Sequence, residues 1–148
     1  MMLAEQTTSH LDADYTIWLK QNSTSYTIID KETSELFRDR YHSKIKACYT
    51  NCWKIAICEP EYSFYIGHVS ALGLPLSHAF LVKDNKVIDP TLAIKVDDRE
   101  RYGTEYYGMP IDKHEFPRLR EKAHWDDLIP NYIYRSGLTK NREGGESE

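Results

Sequence analysis

The strongest constraint in the sequence is a two-residue turn. Leu76-Ser77-His78-Ala79-Phe80-Leu81-Val82 and Lys86-Val87-Ile88-Asp89-Pro90 are strand-like runs, and Asp84-Asn85 lies at the centre of the link between them. Asp and Asn tolerate the positive φ that a tight hairpin requires, so a turn centred there pairs Val82 with Val87, Phe80 with Asp89 and His78 with Thr91. Side chains alternate faces along a strand, so 78, 80 and 82 share a face with 87, 89 and 91. His78 and Asp89 become diagonal neighbours at about 7–8 Å, from which a carboxylate reaches an imidazole nitrogen. A slip of one residue would put them on opposite faces.

Upstream of the hairpin, Lys46-Ala47-Cys48-Tyr49-Thr50-Asn51-Cys52-Trp53 reads as part of a helix over 43–58. Ser43 is the expected N-cap, with Cys48 in the second turn. Ile45, Cys48, Cys52, Ile55 and Ala56 recur at helical spacing and draw one buried stripe. A cysteine on such a stripe is ordinarily a small core residue, and Cys52 and Cys58 are assigned that role. Cys48 is set apart because an imidazole and a carboxylate follow it in a compatible arrangement. A thiol near a helix N-terminus and beside an imidazole ionises more readily, and a carboxylate holds the ring in the tautomer that faces the sulfur. Backbone N–H groups at the helix start are expected to meet a developing oxyanion.

At 148 residues, 41% hydrophobic and 12% aromatic, the chain is long and apolar enough to bury a core. It reads as one domain over residues 1–136, with a polar tail over 137–148 expected to be disordered. A net charge of -4 supplies no electrostatic reason to expect nucleic acid. All three cysteines fall between Cys48 and Cys58, an odd and clustered set unlike a secreted disulfide framework. No stretch approaches the roughly 18 apolar residues of a membrane span, and Met1 to Thr7 lacks the basic and apolar regions of a signal peptide. The expectation is a cytoplasmic protein with no membrane partner. No cofactor is expected. A metal site built from His42, Cys48, Cys52 and Cys58 is an alternative, but the spacing lacks a second Cys or His pair.

Elsewhere, Leu11, Tyr15, Trp18 and Leu19 share a helical stripe that Asn22-Ser23 ends, Tyr26 to Ile29 reads as a strand or extended link, and Lys31 to Tyr41 as a helix. Tyr62 to Val69 is expected as a strand with a bulge or close backbone approach at Gly67. The charged run Lys95 to Arg101 reads as a loop over the edge of the site, and Tyr106 to Ile111 as a strand. Asp112 and Glu115 form an expected capping box for a helix through Phe116, Leu119 and Ala123, and an apolar run from Trp125 to Tyr134 packs back. His10, His114 and His124 are assigned to surface or packing.

Cys48-Tyr49-Thr50-Asn51, Tyr65-Ile66-Gly67, Pro75-Leu76-Ser77-His78-Ala79-Phe80, Val87-Ile88-Asp89-Pro90-Thr91 and Tyr106-Tyr107-Gly108 together resemble small bacterial and phage proteins of the papain-like and transglutaminase-like superfamily. The resemblance covers residues 46–108. It implies an α+β fold with the cysteine helix packed on an antiparallel sheet and further helices at the edges, and a triad of Cys48, His78 and Asp89. Tyr107 and Gly108 are implied to line the cleft. His68, on the strand beside the proposed site, and Asn51, one turn from Cys48, are further candidates for contact with substrate. The activity implied is that of a thiol hydrolase or acyl-transferase (peptidase, amidase, deamidase or transglutaminase-like) working through a thioester on Cys48, with a protein, peptide or amide substrate. The alternative is a binding protein or inhibitor on the same fold, of the kind a phage directs against a host protein.

Overall fold

The structure, a computed structural model, describes residues 9–71, 74–99, 101–122 and 133–134. It is an α+β arrangement in which helices pack on a five-stranded antiparallel sheet. In chain order the elements are α1 (Ser9–Gln21), β1 (Thr24–Tyr26), α2 (Lys31–Arg40), α3 (Cys48–Cys58), β2 (Ser63–Ala71), β3 (Leu74–Lys83), β4 (Lys86–Ile88), β5 (Glu105–Pro110) and α4 (Phe116–Lys122). The sheet order is β1-β5-β2-β3-β4.

The β3–β4 hairpin has the expected register, with Val82 opposite Val87 and Leu81 opposite Ile88. Asp84 and Asn85 take φ of 54° and 63°, the two positive values of a type I′ turn. The ladder stops at Ile88, so Asp89, Pro90 and Thr91 leave the sheet edge and the expected pairing of His78 with Thr91 does not form. The edge of β3 at Ala79 is thereby open, and α3 covers it.

Cys52, Ile55 and Ala56 of α3 are buried against Phe64, Ile66, Ala79, Leu81 and Ile88 of the sheet. Full burial of an apolar side chain of this size contributes about 1.5–3 kcal/mol, so this layer fixes α3 on the sheet. The opposite face holds a smaller cluster around Phe80, Val82, Val87, Val69 and Tyr106. At the sheet's centre Gly67 pairs with Gly108. A Cβ on Gly67 would lie 2.1 Å from the Tyr107 carbonyl oxygen, so the expected close backbone approach is present.

Several sequence expectations are corrected. α3 begins at Cys48, not Ser43, because His42 and Lys46 adopt positive φ (54° and 62°) and turn the chain sharply before it. Ser43 is no cap, and Ile45, off the helix altogether, is exposed. Of the strand or extended link expected over Tyr26 to Ile29, Tyr26 ends β1 and the rest is a link in which Ile29 makes an isolated bridge to Val87. Asp112 does not form the capping box: its carboxylate accepts from the backbone N–H of His114, while Glu115 pairs with Arg118. Ala123, most of the Trp125–Tyr134 run and the polar tail lie outside the described residues. Among the described residues no helix is long and apolar enough to cross a membrane.

Candidate active site

Cys48 is the first residue of α3. Its cap residue, Ala47, makes no side-chain hydrogen bond, so the N–H groups of the first turn are not consumed by a cap and the positive end of the helix dipole lies at the thiol. The loop before it is held by Asn51, whose amide oxygen accepts from the Lys44 N–H (3.1 Å) and whose NH2 donates to the Lys44 carbonyl (2.8 Å) and the Thr91 hydroxyl (2.9 Å). This tie replaces the expected cap. It also removes Asn51 from the substrate contacts expected of it: the side chain is buried and both amide hydrogens are engaged.

The open edge of β3 receives the two sulfurs of α3. The Cys52 thiol donates to the Ala79 carbonyl at 3.5 Å, and the Cys48 sulfur lies near enough to the His78 ring and the Ala79 backbone for both to favour its ionised form. His78 Nε2 lies 2.9 Å from Asp89 Oδ2, leaving Nδ1 as the ring nitrogen for the sulfur. Cys48, His78 and Asp89 are therefore brought together in that order, from a helix start, a strand and the residue after the next strand, with His78 hydrogen-bonded to Asp89 and neighbouring the thiol.

Asp89 is fully buried, with its carboxylate held from three sides. Besides His78, Oδ2 accepts from the Tyr106 hydroxyl at 2.6 Å, and Oδ1 accepts from the Leu92 N–H at 3.0 Å. The Asp89 N–H donates to the Ser34 hydroxyl at 2.9 Å, and that hydroxyl donates to the Asp30 carbonyl at the start of α2. Tyr106 in turn accepts from the Gly103 N–H at 3.2 Å. Tyr106 and Ser34 were not singled out from the sequence. The motif Tyr106-Tyr107-Gly108 contained the signal, but choosing between its tyrosines requires the pairing of β5 with β2, in which Tyr106 stands opposite Val69.

Electrostatics follow this geometry. Burial disfavours an ionised Cys48, yet the hydrogen bond and charge of His78 and the Ala79 backbone bond outweigh it, so the thiol sits below the ordinary cysteine value. Burial also disfavours a charged His78, but Asp89, helped by Cys48, pushes the imidazole up to about 10. Cys52 shows the contrast: one turn along α3 with no imidazole, burial drives its thiol well above the usual range. Burial and the Asp89 charge both raise the Tyr106 phenol, keeping it a hydrogen-bond donor.

The line opens on a cleft of about 400 Å³. Ser77, Cys48 and His78 line it together with Ile45 and Lys46 on one side and residues of the segment from Thr91 to Arg101 on the other. The charged run thus does border the site. Val96 and Arg99 close a tight turn there, with φ of 58° and 62° at Asp97 and Asp98. His68, Tyr107 and Gly108 do not line this cleft. His68 stacks on Tyr107 across the β2–β5 pair, with ring centroids 5.3 Å apart, and Tyr107 borders a second depression near Lys20 and Glu105. The structure thus places them apart from the cleft that Cys48 lines. His42 and Cys58 are exposed, Cys58 at the far end of α3, and among the described residues no three His, Cys, Asp or Glu side chains converge as a metal site.

Comparison with known proteins leaves the site to its own geometry: no family model matches the sequence, and no curated protein or solved structure matches it.

Proposed function

We propose that the protein is a thiol-dependent hydrolase or acyl-transferase of papain-like or transglutaminase-like architecture, acting on an amide or ester carbonyl. The observation that carries this reading is the line Cys48–His78–Asp89, with a thiol lowered and an imidazole raised in pKa at the mouth of a cleft. A packed core cysteine needs neither partner, and Cys52 has neither.

In this mechanism the Cys48 thiolate attacks the carbonyl carbon and a C–S bond forms as the carbonyl π pair moves to oxygen. The first-turn N–H groups of α3 face the developing oxyanion. Collapse breaks the bond to the leaving amine or alcohol, which takes the proton from the His78 imidazolium and leaves a thioester. Neutral His78 then removes a proton from water or an acceptor amine as that group attacks the thioester, and Cys48 departs as thiolate. Asp89 holds the ring with Nδ1 toward the sulfur, and Tyr106 and Leu92 hold Asp89. Hydrolysis and transfer share every step except the identity of the final nucleophile.

The test is an activated acyl ester carrying a mass label. The expected result is a labelled acyl group on Cys48 that is released by water or an added amine, and no label in Cys48→Ala. Labelling confined to Cys52 or Cys58 would discard the reading.

A further inference from the structure

The cleft has a chemical character that the triad does not require. Its described lining includes two cations, Lys46 and Arg101, and no carboxylate. Its apolar lining is Ile45, Leu92, Ile94 and Val96, of which Ile45 and Val96 are 59% and 43% exposed.

Arg101 is placed with care. Its backbone N–H donates to the Leu92 carbonyl, and the segment between is pinned by Arg38 Nη1 donating to the Ala93 carbonyl at 2.7 Å. The Arg101 Nε is buried and has no hydrogen-bond partner among the described residues. The side chain as a whole is 34% exposed, so its terminal Nη donors are the ones a ligand in the cleft can meet. Among the described residues Arg101 pairs with Asp97, whose carboxylate lies 3.6 Å from Arg101 Nη2 and is 75% exposed. An exposed pair of this length is worth at most about 1 kcal/mol and is easily exchanged. Asp97 thus occupies the position of a replaceable carboxylate.

Resting on the thiol-enzyme reading, we propose that the cleft takes an amide-linked apolar amino acid whose carboxylate is free, as at the C-terminus of a peptide, with the carboxylate on Arg101 and the side chain against Ile45, Leu92, Ile94 and Val96. Arg101 acts as a specificity determinant. A guanidinium suits this role because its planar donors match a carboxylate, while Lys46 adds a mobile second charge.

The experiment follows alkylation of Cys48 by iodoacetamide, resolved by mass spectrometry, with 4-methylpentanoate, acetate or inorganic phosphate as protectant at constant ionic strength. The expected result is that 4-methylpentanoate protects at lower concentration than acetate or phosphate. Arg101→Gln should raise its half-protecting concentration about tenfold, the scale of one charge-assisted bond. Asp97→Asn, which removes the competing carboxylate and leaves Arg101 in place, should lower it about two- to threefold. Equal protection by phosphate, or no response to either variant, would overturn the proposal while leaving Cys48 as a nucleophile. A Cys48 that iodoacetamide modifies no faster than free cysteine would instead remove the enzyme reading beneath it.

Discussion

Replacing Asp89 with Asn changes one atom and leaves the site no satisfactory hydrogen-bond pattern. Oδ2 faces two donors, His78 Nε2 and the Tyr106 hydroxyl, and Oδ1 faces a third, the Leu92 N–H. If the amide keeps its oxygen toward His78 and Tyr106, its NH2 confronts the Leu92 N–H across 3.0 Å. With the amide turned over, the NH2 confronts His78, which must then accept at Nε2 and carry its proton on Nδ1. A histidine in that tautomer cannot take the proton of Cys48. The first arrangement leaves a buried donor unpaired and the second misplaces the ring proton. Losing a charge-assisted acceptor in a fully buried site is expected to lower unfolding free energy by about 3 kcal/mol at neutral pH. Where the wrong tautomer dominates, turnover of an acyl substrate should fall by roughly 10³–10⁴. Urea unfolding measures the first quantity, the rate of Cys48 acylation the second, and nitrogen chemical shifts of the His78 ring report the tautomer. A variant with wild-type stability and a wild-type Cys48 rate would refute the assigned role of the carboxylate.

Other expectations use the same contacts. Cys48→Ala, at a partly buried position, should cost about 1 kcal/mol or less in urea unfolding and abolish activity, whereas Cys52→Ala, at a fully buried one, should cost about 1–2 kcal/mol and retain the Cys48 reaction. Asn51→Ala breaks three hydrogen bonds that hold the loop before α3 and should cost about 2–3 kcal/mol, with faster amide exchange at Lys44 and a slower Cys48. The raised value at His78 makes stability depend on pH. Its contribution is full below the unfolded imidazole value of 6.5 and is lost as pH rises through about 10, while the lowered Cys48 thiol acts in the opposite sense. Cys48→Ala removes that opposing term. Asp89 still holds the imidazole up in that variant, so the unfolding free energy of Cys48→Ala should decline above pH 6.5 more steeply than that of Cys48→Ala/His78→Gln; parallel curves would contradict the coupling of His78 to Asp89.

The parts of the site legible in the sequence are those encoded locally. Asp84-Asn85 specifies its turn through backbone preferences of those two residues, and the turn sets the register as far as Ile88. Beyond Ile88, Asp89 leaves the sheet and is held against His78 by Tyr106, Leu92 and Ser34. The start of α3 was misread because Ser43 has the chemistry of a cap. The real boundary depends on positive φ at His42 and Lys46, neither a glycine, and on the grip of Asn51 on Lys44, a tertiary contact without a local signature. Distance hid Tyr106 and Ser34 in the same way, whereas the charged run ending at Arg101 was legible as a border of the site. The hydroxyl of Ser34 reaches Asp89 from α2, a contact across 55 residues. Assigning His68 and Tyr107 to the cleft failed for a related reason: being near the site in the sheet does not specify which surface a side chain borders, and those two rings stack on each other instead.

The central claim is that Cys48 is an activated thiol, and the pH dependence of its alkylation tests this most directly. Iodoacetamide modification, followed at Cys48 by mass spectrometry with free cysteine as reference, should show a thiolate titrating below the ordinary value near 8.5. The rate should then change a second time as His78 loses its proton near 10. In His78→Gln the lower transition should move up, since the imidazole is the main source of the depression. A single transition at or above the free-cysteine value, unchanged by His78→Gln, would contradict the account.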